Sequence, residues 1–155
     1  MIIRKAKLTD IDKLLYLLDI VHSLHEQARP DIFKKGKTKY TKEELEKILA
    51  NDVTPVWVAE EKKQVVGYIF CIYEEIKDHQ SLTNRKTLYI DDICVDDNFR
   101  QKGIGRQLYN YAKMMAKTKG CYDITLNVWN LNPGAIIFYE KLGLKPLKIY
   151  MEEIL

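Results

Sequence analysis

The chain has 155 residues, room for one core of ordinary size and too little for two domains. Hydrophobic side chains make up 46% of it and charged ones 30%, the balance of a soluble globular protein and not of a disordered or fibrous one. Its 25 basic and 22 acidic side chains leave a net charge of +3, too mild for a nucleic-acid binder, so attraction to an anion has to come from local clustering.

Ile2 to Arg4 reads as a short first strand. Thr9-Asp10-Ile11-Asp12 offers an N-cap with an acid three residues on, and Ile11, Leu14, Leu15, Leu18 and Val21 follow at helical spacing. A polar, basic segment runs from His22 to Tyr40, and Thr41-Lys42-Glu43-Glu44 is a capping box that opens a second helix through Ile48 and Leu49. Val56 to Glu60 and Val65 to Tyr73, rich in β-branched and aromatic residues and separated by Glu61-Lys62-Lys63, predict an antiparallel hairpin. A polar run from Glu74 to Lys86 precedes a strand from Thr87 to Val95.

Gly103 to Lys119 reads as a long helix with Ile104, Leu108, Tyr111 and Met115 on one face and Gly120 just past its end. Tyr122, Ile124, Leu126 and Val128 alternate with polar residues and mark another strand. Asn132-Pro133 supplies an N-cap and a first-turn proline for a helix ending at Gly143, and a last strand is expected over Leu147 to Met151. The order βααβββαβαβ predicts one mixed sheet with helices on both faces, a single domain over residues 1–155.

Cys71, Cys94 and Cys121 are odd in number and lack metal-ligand or CxxC spacing, which argues against a disulfide framework and for a reducing compartment. Met1 to Lys7 carries charge with no apolar run behind it, and the longest apolar stretch, Val65 to Tyr73, is too short to span a bilayer. A cytoplasmic protein without membrane attachment is expected.

The most informative segment is Val95 to Arg106, between a predicted strand and a predicted helix. The first amides of a helix lack carbonyl partners and carry the positive end of its dipole, so this junction suits an anion, and a pyrophosphate is its natural ligand. Gly103 and Gly105 let oxygens approach the backbone, while Arg100, Lys102 and Arg106 concentrate positive charge there. Two familiar phosphate motifs do not fit. A dinucleotide GxGxxG pattern would need glycine where Leu108 stands, which removes the case for an oxidoreductase, and Gly105-Arg106-Gln107 is no P-loop ending.

Arg-Gln-Lys-Gly-Ile-Gly at 101–105 and the residue before it, following a strand and leading into a helix, resembles the acetyl-coenzyme A motif of the GNAT superfamily of N-acetyltransferases. A second stretch, Asn127 to Gly143, contains an Asn-x-x-Ala-x-x-Phe-Tyr-x-x-x-Gly arrangement similar to the family's other hallmark, and with the element order the resemblance covers nearly the whole chain. It implies an α+β fold: a mixed, mostly antiparallel sheet of six to seven strands flanked by four helices. It implies an acetyl-CoA-dependent N-acetyltransferase domain over 1–155 that uses acetyl-CoA as co-substrate and needs no metal.

On that resemblance, the backbone of Ile93, Cys94 and Val95 would pair with the pantetheine arm, and Arg100, Gln101, Lys102, Gly103, Ile104, Gly105 and Arg106 would hold the pyrophosphate. Asn132 and Ala135 would line the cofactor channel, which opens where the strand ending at Val95 parts from the strand ending at Val128. Tyr139 would be the general acid beside the thioester sulfur. The acetyl group would pass to a primary amine of a small molecule, peptide or protein by direct attack in a ternary complex.

An alkyl ammonium must lose a proton before it can attack, and a carboxylate can take it. Tyr89-Ile90-Asp91-Asp92 is similar to the polyamine-acetylating branch, where an acid occupies the place of Asp91; Asp91 is therefore the first choice of base and Asp92 the second. As neighbours on a regular strand the two are expected to point to opposite faces. His22 and His25 lack a ligand set around them and are read as helix-end or acceptor-site residues. The loop from Arg29 to Lys39 lies where acceptor specificity varies in this family. A non-catalytic acyl-CoA-binding sensor or subunit is the alternative function, and a homodimer stays open, dimers being common among similar proteins.

Overall fold

Alternate residues of Val56–Glu61 (β2) go to opposite sides of a sheet: Val56 and Val58 join one apolar cluster, Trp57 and Ala59 another. The computed structural model, which describes residues 1–155, builds the whole molecule on that division. Ile2–Lys5 (β1), β2, Gln64–Ile76 (β3), Arg85–Val95 (β4) and Asp123–Leu126 (β5) form a five-stranded sheet in that order. All neighbours are antiparallel except β4 and β5, which are parallel.

Ile11–Ala28 (α1) and Lys42–Ala50 (α2) cover one face through Leu14, Leu17, Leu18 and Leu45, all fully buried. Ile104–Thr118 (α3) covers the other through Ile104, Leu108, Ala112 and Ala116. Pro133–Lys141 (α4) lies beside the start of α3, close enough that a Cβ on Gly105 would stand 3.2 Å from the Phe138 ring.

Two bulges break the alternation. Ala59 pairs with Gly67 and Glu60 with Val65, so Val66 is an extra residue in β3; Phe70 pairs with Asp92 and Cys71 with Ile90, so Asp91 is an extra residue in β4. Each flips the facing of the residues beyond it. Leu88 and Ile90 therefore belong to the α3 side, whereas Cys94, an even-numbered residue of the same strand, belongs to the α1 side.

Local signals in the sequence are realised at several ends. Thr41 accepts the Glu44 amide at 3.2 Å while the Glu44 carboxylate accepts the Thr41 amide at 2.8 Å, the reciprocal box that opens α2. At α1 the outcome differs: Thr9 falls inside a 3-10 turn, Leu8–Asp10, and Asp10 caps that turn through the Lys7 amide while pairing with Arg4 at 2.7 Å.

α1 also runs on to Ala28: the polar residues from His22 to Gln27 continue the helix, with His22, Ser23, His25 and Glu26 half-buried along it. The sheet has five strands, not six or seven. β5 stops at Leu126, short of the expected Val128, and Leu147 to Met151 forms no strand, since its backbone pairs with neither free edge of the sheet. No helix is long and apolar enough to cross a membrane.

Candidate active site

Between the end of β4 and the start of α3 the backbone turns twice through the left-handed region, at Gln101 (φ 62°) and at Gly103 (φ 74°). A chain turned this way points successive amides into one concavity. The amides of Gln101, Lys102, Gly103, Ile104, Gly105 and Arg106 have no hydrogen-bond acceptor in the protein; the first amide of α3 to find one is Gln107, which donates to the Gly103 carbonyl at 3.1 Å. Nothing lies within 4 Å of where a Gly103 Cβ would stand, so the concavity is open.

Of the three cations expected at this loop, Arg100 pairs with Asp97 at 2.7 Å and donates to the Val95 carbonyl at 3.3 Å, and Lys102 lies over the Phe99 ring at 4.7 Å. Arg106 makes no ion pair. Gly105 has a different use from the one its spacing implies, since it admits the Phe138 ring against α3.

β4 and β5 pair from Thr87–Asp123 to Ile90–Leu126 and no further. β4 continues to Val95 with β3 alone beside it, so the backbone of Ile93, Cys94 and Val95 keeps one edge free next to the open amides. A partly buried ion pair fixes this corner: Lys13 of α1 meets Asp96 at 2.6 Å, and the Lys13 ammonium holds the Asp96 carboxyl below the usual carboxylate range.

The expected divergence of Asp91 and Asp92 does not occur. Because Asp91 is the bulged residue, both carboxylates lie on the α1 side. Asp91 is held by Lys39 at 2.9 Å and by the Tyr40 hydroxyl at 2.5 Å. Asp92 accepts the Tyr68 hydroxyl at 3.1 Å. Burial lifts the Asp92 carboxyl to about 6, opposed by the Lys39 ammonium and the Tyr68 hydroxyl and reinforced by the charge of Asp91.

Tyr40, Tyr68 and Lys39 are the residues that sequence reading missed. One signal was present for Tyr40: it precedes the Thr41 cap, with Leu45 at the fourth helical position, the hydrophobic-staple pattern that turns an entering side chain toward the core.

In α4, Asn132 uses its side-chain oxygen to cap the Ala135 amide at 3.1 Å. Tyr139 packs edge-on against Phe138, and burial, with the Asp92 charge adding to it, holds its hydroxyl above the ordinary phenol range. The group is a proton donor at neutral pH. Burial likewise pushes the Cys94 thiol up to about 12, so it is no thiolate.

A recess of about 190 Å³ opens between α1 and the loop after β5, lined by His25, Phe33, Trp129 and Asn132. His25 stacks on Phe33 with ring centres 5.0 Å apart, Phe33 meets Trp129 at 5.3 Å, and burial keeps His25 below its ordinary value. His22 bonds the Lys34 carbonyl at 2.8 Å. No three His, Cys, Asp or Glu side chains are arranged to hold a metal ion.

Open amides at a helix start, beside a free strand edge where two parallel strands part, are an arrangement that fits a ligand carrying both phosphates and amides. The chain belongs to the Acetyltransferase (GNAT) family, whose model matches residues 18–144. It is similar to an uncharacterized N-acetyltransferase of Methanocaldococcus jannaschii, 31% identical over 77% of this chain and 51% of that one. It is also similar to the glucosamine 6-phosphate N-acetyltransferase of Arabidopsis thaliana, 32% identical over 44% of each. The chain thus spans about half the length of these relatives, or less.

Among solved structures, the X-ray structure of a tetramutant of a Bacillus halodurans protein is 29% identical, with a TM-score of 0.96 over 100% of both chains.

Proposed function

We propose that residues 1–155 act as one N-acetyltransferase domain that moves an acetyl group from acetyl-CoA to the primary amine of an acceptor, both bound together. The observation that carries this is the run of six unpartnered amides, Gln101 to Arg106, beside the point where β4 and β5 part. Their donors fit the pyrophosphate, with Arg106 free to add charge, and the open edge at Ile93, Cys94 and Val95 fits an amide-bearing pantetheine arm. When bound, acetyl-CoA supplies the thioester carbon that the amine attacks.

Asp92 takes the ammonium proton, directly or through water. With its carboxyl near 6 it is ionised at neutral pH yet basic enough to accept. Asp91, whose side chain is committed to Lys39 and Tyr40, raises the basicity of Asp92 and orients the loop before α2. The Tyr139 hydroxyl donates to the departing sulfur, and a backbone amide at the free edge near Cys94 or Val95 steadies the carbonyl oxygen. A protonated Cys94 is unfit to carry the acetyl group, which supports direct transfer. The recess between Phe33 and Trp129, adjoining Asn132, is where the acceptor's non-reacting part would lie. The unpaired state of all three cysteines supports a cytoplasmic setting.

The test is release of free thiol from acetyl-CoA across small amines, amino sugar phosphates, aminoglycosides, peptides and proteins, with binding of CoA measured in parallel. Turnover on one acceptor class is expected. Tight CoA binding with no turnover on any class would make the chain an acyl-CoA-binding module, and no binding would overturn the reading.

A further inference from the structure

One amine of this chain stands against the acids of the site. The loop between α1 and α2 carries Lys34, Lys35, Lys37 and Lys39, of which the first three are exposed and form no ion pair. Lys39 turns inward. Its Nζ lies 2.9 Å from Asp91 Oδ1 and donates to the Asp91 carbonyl at 2.9 Å, with the Tyr40 ring centre 5.7 Å away. A carboxylate, a carbonyl and an aromatic face are the partners that an alkylammonium takes.

The loop is pinned on both sides of this lysine. His22 bonds the Lys34 carbonyl at 2.8 Å, the Gly36 amide donates to Glu26 at 3.2 Å, and Tyr40 stacks on Phe70 with ring centres 5.8 Å apart. β4 and β5 last pair at Ile90 and Leu126, so Asp91 is the first residue of β4 past the fork, next to the free edge at Ile93, Cys94 and Val95. Beyond what burial does to each group, the Tyr139 hydroxyl feels the Asp92 charge and Asp92 feels the Lys39 ammonium, so the three lie close together.

We propose that the chain acetylates its own Lys39, whose Nζ takes the place of the acceptor amine when no acceptor is bound. The inference rests on the acetyltransferase reading above. An amine held by its own backbone needs no binding step, so the reaction runs within one chain. One ammonium proton passes to Asp92 and on to solvent, and the freed Nζ lone pair attacks the acetyl carbon. The C–N bond forms and the C–S bond breaks. Tyr139 gives its proton to the departing sulfur and regains one from the nitrogen, leaving free CoA and an Nε-acetyllysine. That amide has no charge to pair with Asp91, so the modification loosens the loop from β4.

The test is incubation of the full chain with isotope-labelled acetyl-CoA and no acceptor, read by intact mass and peptide mapping. One acetyl group at Lys39 is expected, gained at a first-order rate that does not change with protein concentration. Tyr139→Phe and Asp92→Asn should each slow it about 10²-fold. Lys39→Arg should abolish it, and mapping of the unsubstituted chain reads the same site if that variant does not fold. Label spread equally over Lys34, Lys35 and Lys37, or unaffected by Tyr139→Phe, is solution chemistry and overturns the proposal. So does a rate that rises with protein concentration, which means transfer between copies. Thiol release on an external amine with Lys39 unmodified overturns the proposal and leaves the acetyltransferase reading standing, whereas failure to bind CoA overturns both.

Discussion

Asp92 shows how one residue's chemistry depends on its neighbours. A carboxyl lifted from an ordinary value near 3.8 to about 6 is a better base and a less stable anion. Its acetyl-transfer rate, as kcat/KM, should therefore rise through about pH 6 and level off above it. Asp92→Asn should abolish that limb and cost about 10²-fold or more, the usual worth of a positioned base. Asp91→Asn removes a like charge that raises the Asp92 value, so it should shift the limb toward acid, as a pH–rate profile would show.

Stability moves the opposite way. The folded state disfavours the ionised form, so the penalty is absent below about 3.8 and complete above about 6. Asp92→Asn should raise the melting temperature at pH 7.5 and leave it unchanged at pH 3.5. Tyr139→Phe keeps the ring against Phe138 and removes the donor. It should lower kcat about 10²-fold while CoA affinity, by calorimetry, stays the same.

At the scale of elements, the anion site is a property of how α3 begins. Gly103 holds a φ of 74° with empty space where a side chain would go, so Gly103→Ala meets backbone strain and no clash. That strain costs about 1–2 kcal/mol, and any relaxation turns the Gln101–Arg106 amides away from one another. CoA should bind roughly tenfold more weakly, about 1.4 kcal/mol, with the fold intact by circular dichroism. Both the glycine and the helix start are encoded within a few residues, which is why this loop was legible in the sequence. The facing of Asp91 and Asp92 was not, because a bulge arises from the register between β4 and β3 and not from either strand alone. Gly105 shows the same limit: its spacing matched the phosphate motif, while its contact is with Phe138, 33 residues away in the chain.

For the whole molecule, the two apolar clusters lie on opposite faces of one sheet and share its strands: Tyr68 and Phe70 of β3 point into one, Ile69 and Cys71 into the other. Neither layer has an independent backbone, so they should unfold together. Leu17→Ala and Leu108→Ala, both at fully buried positions in different clusters, should each cost about 2–5 kcal/mol. Together they should add, with a single transition retained by calorimetry and fluorescence alike. Two separate transitions would show that the helical layers are independent.

Helix caps, strand alternation, the open turn at Gly103 and the pairing of two motifs around one strand were determined by the sequence by itself, since each depends on backbone preferences and spacings within a few residues. Tertiary structure alone decided that both aspartates share a side, that Tyr40, Lys39 and Tyr68 surround them, and that Phe33 meets Trp129. The segment Leu147 to Met151 belongs to the same division. Its alternation is local, but a strand exists only where another strand's amides and carbonyls meet its own, and within this chain none do.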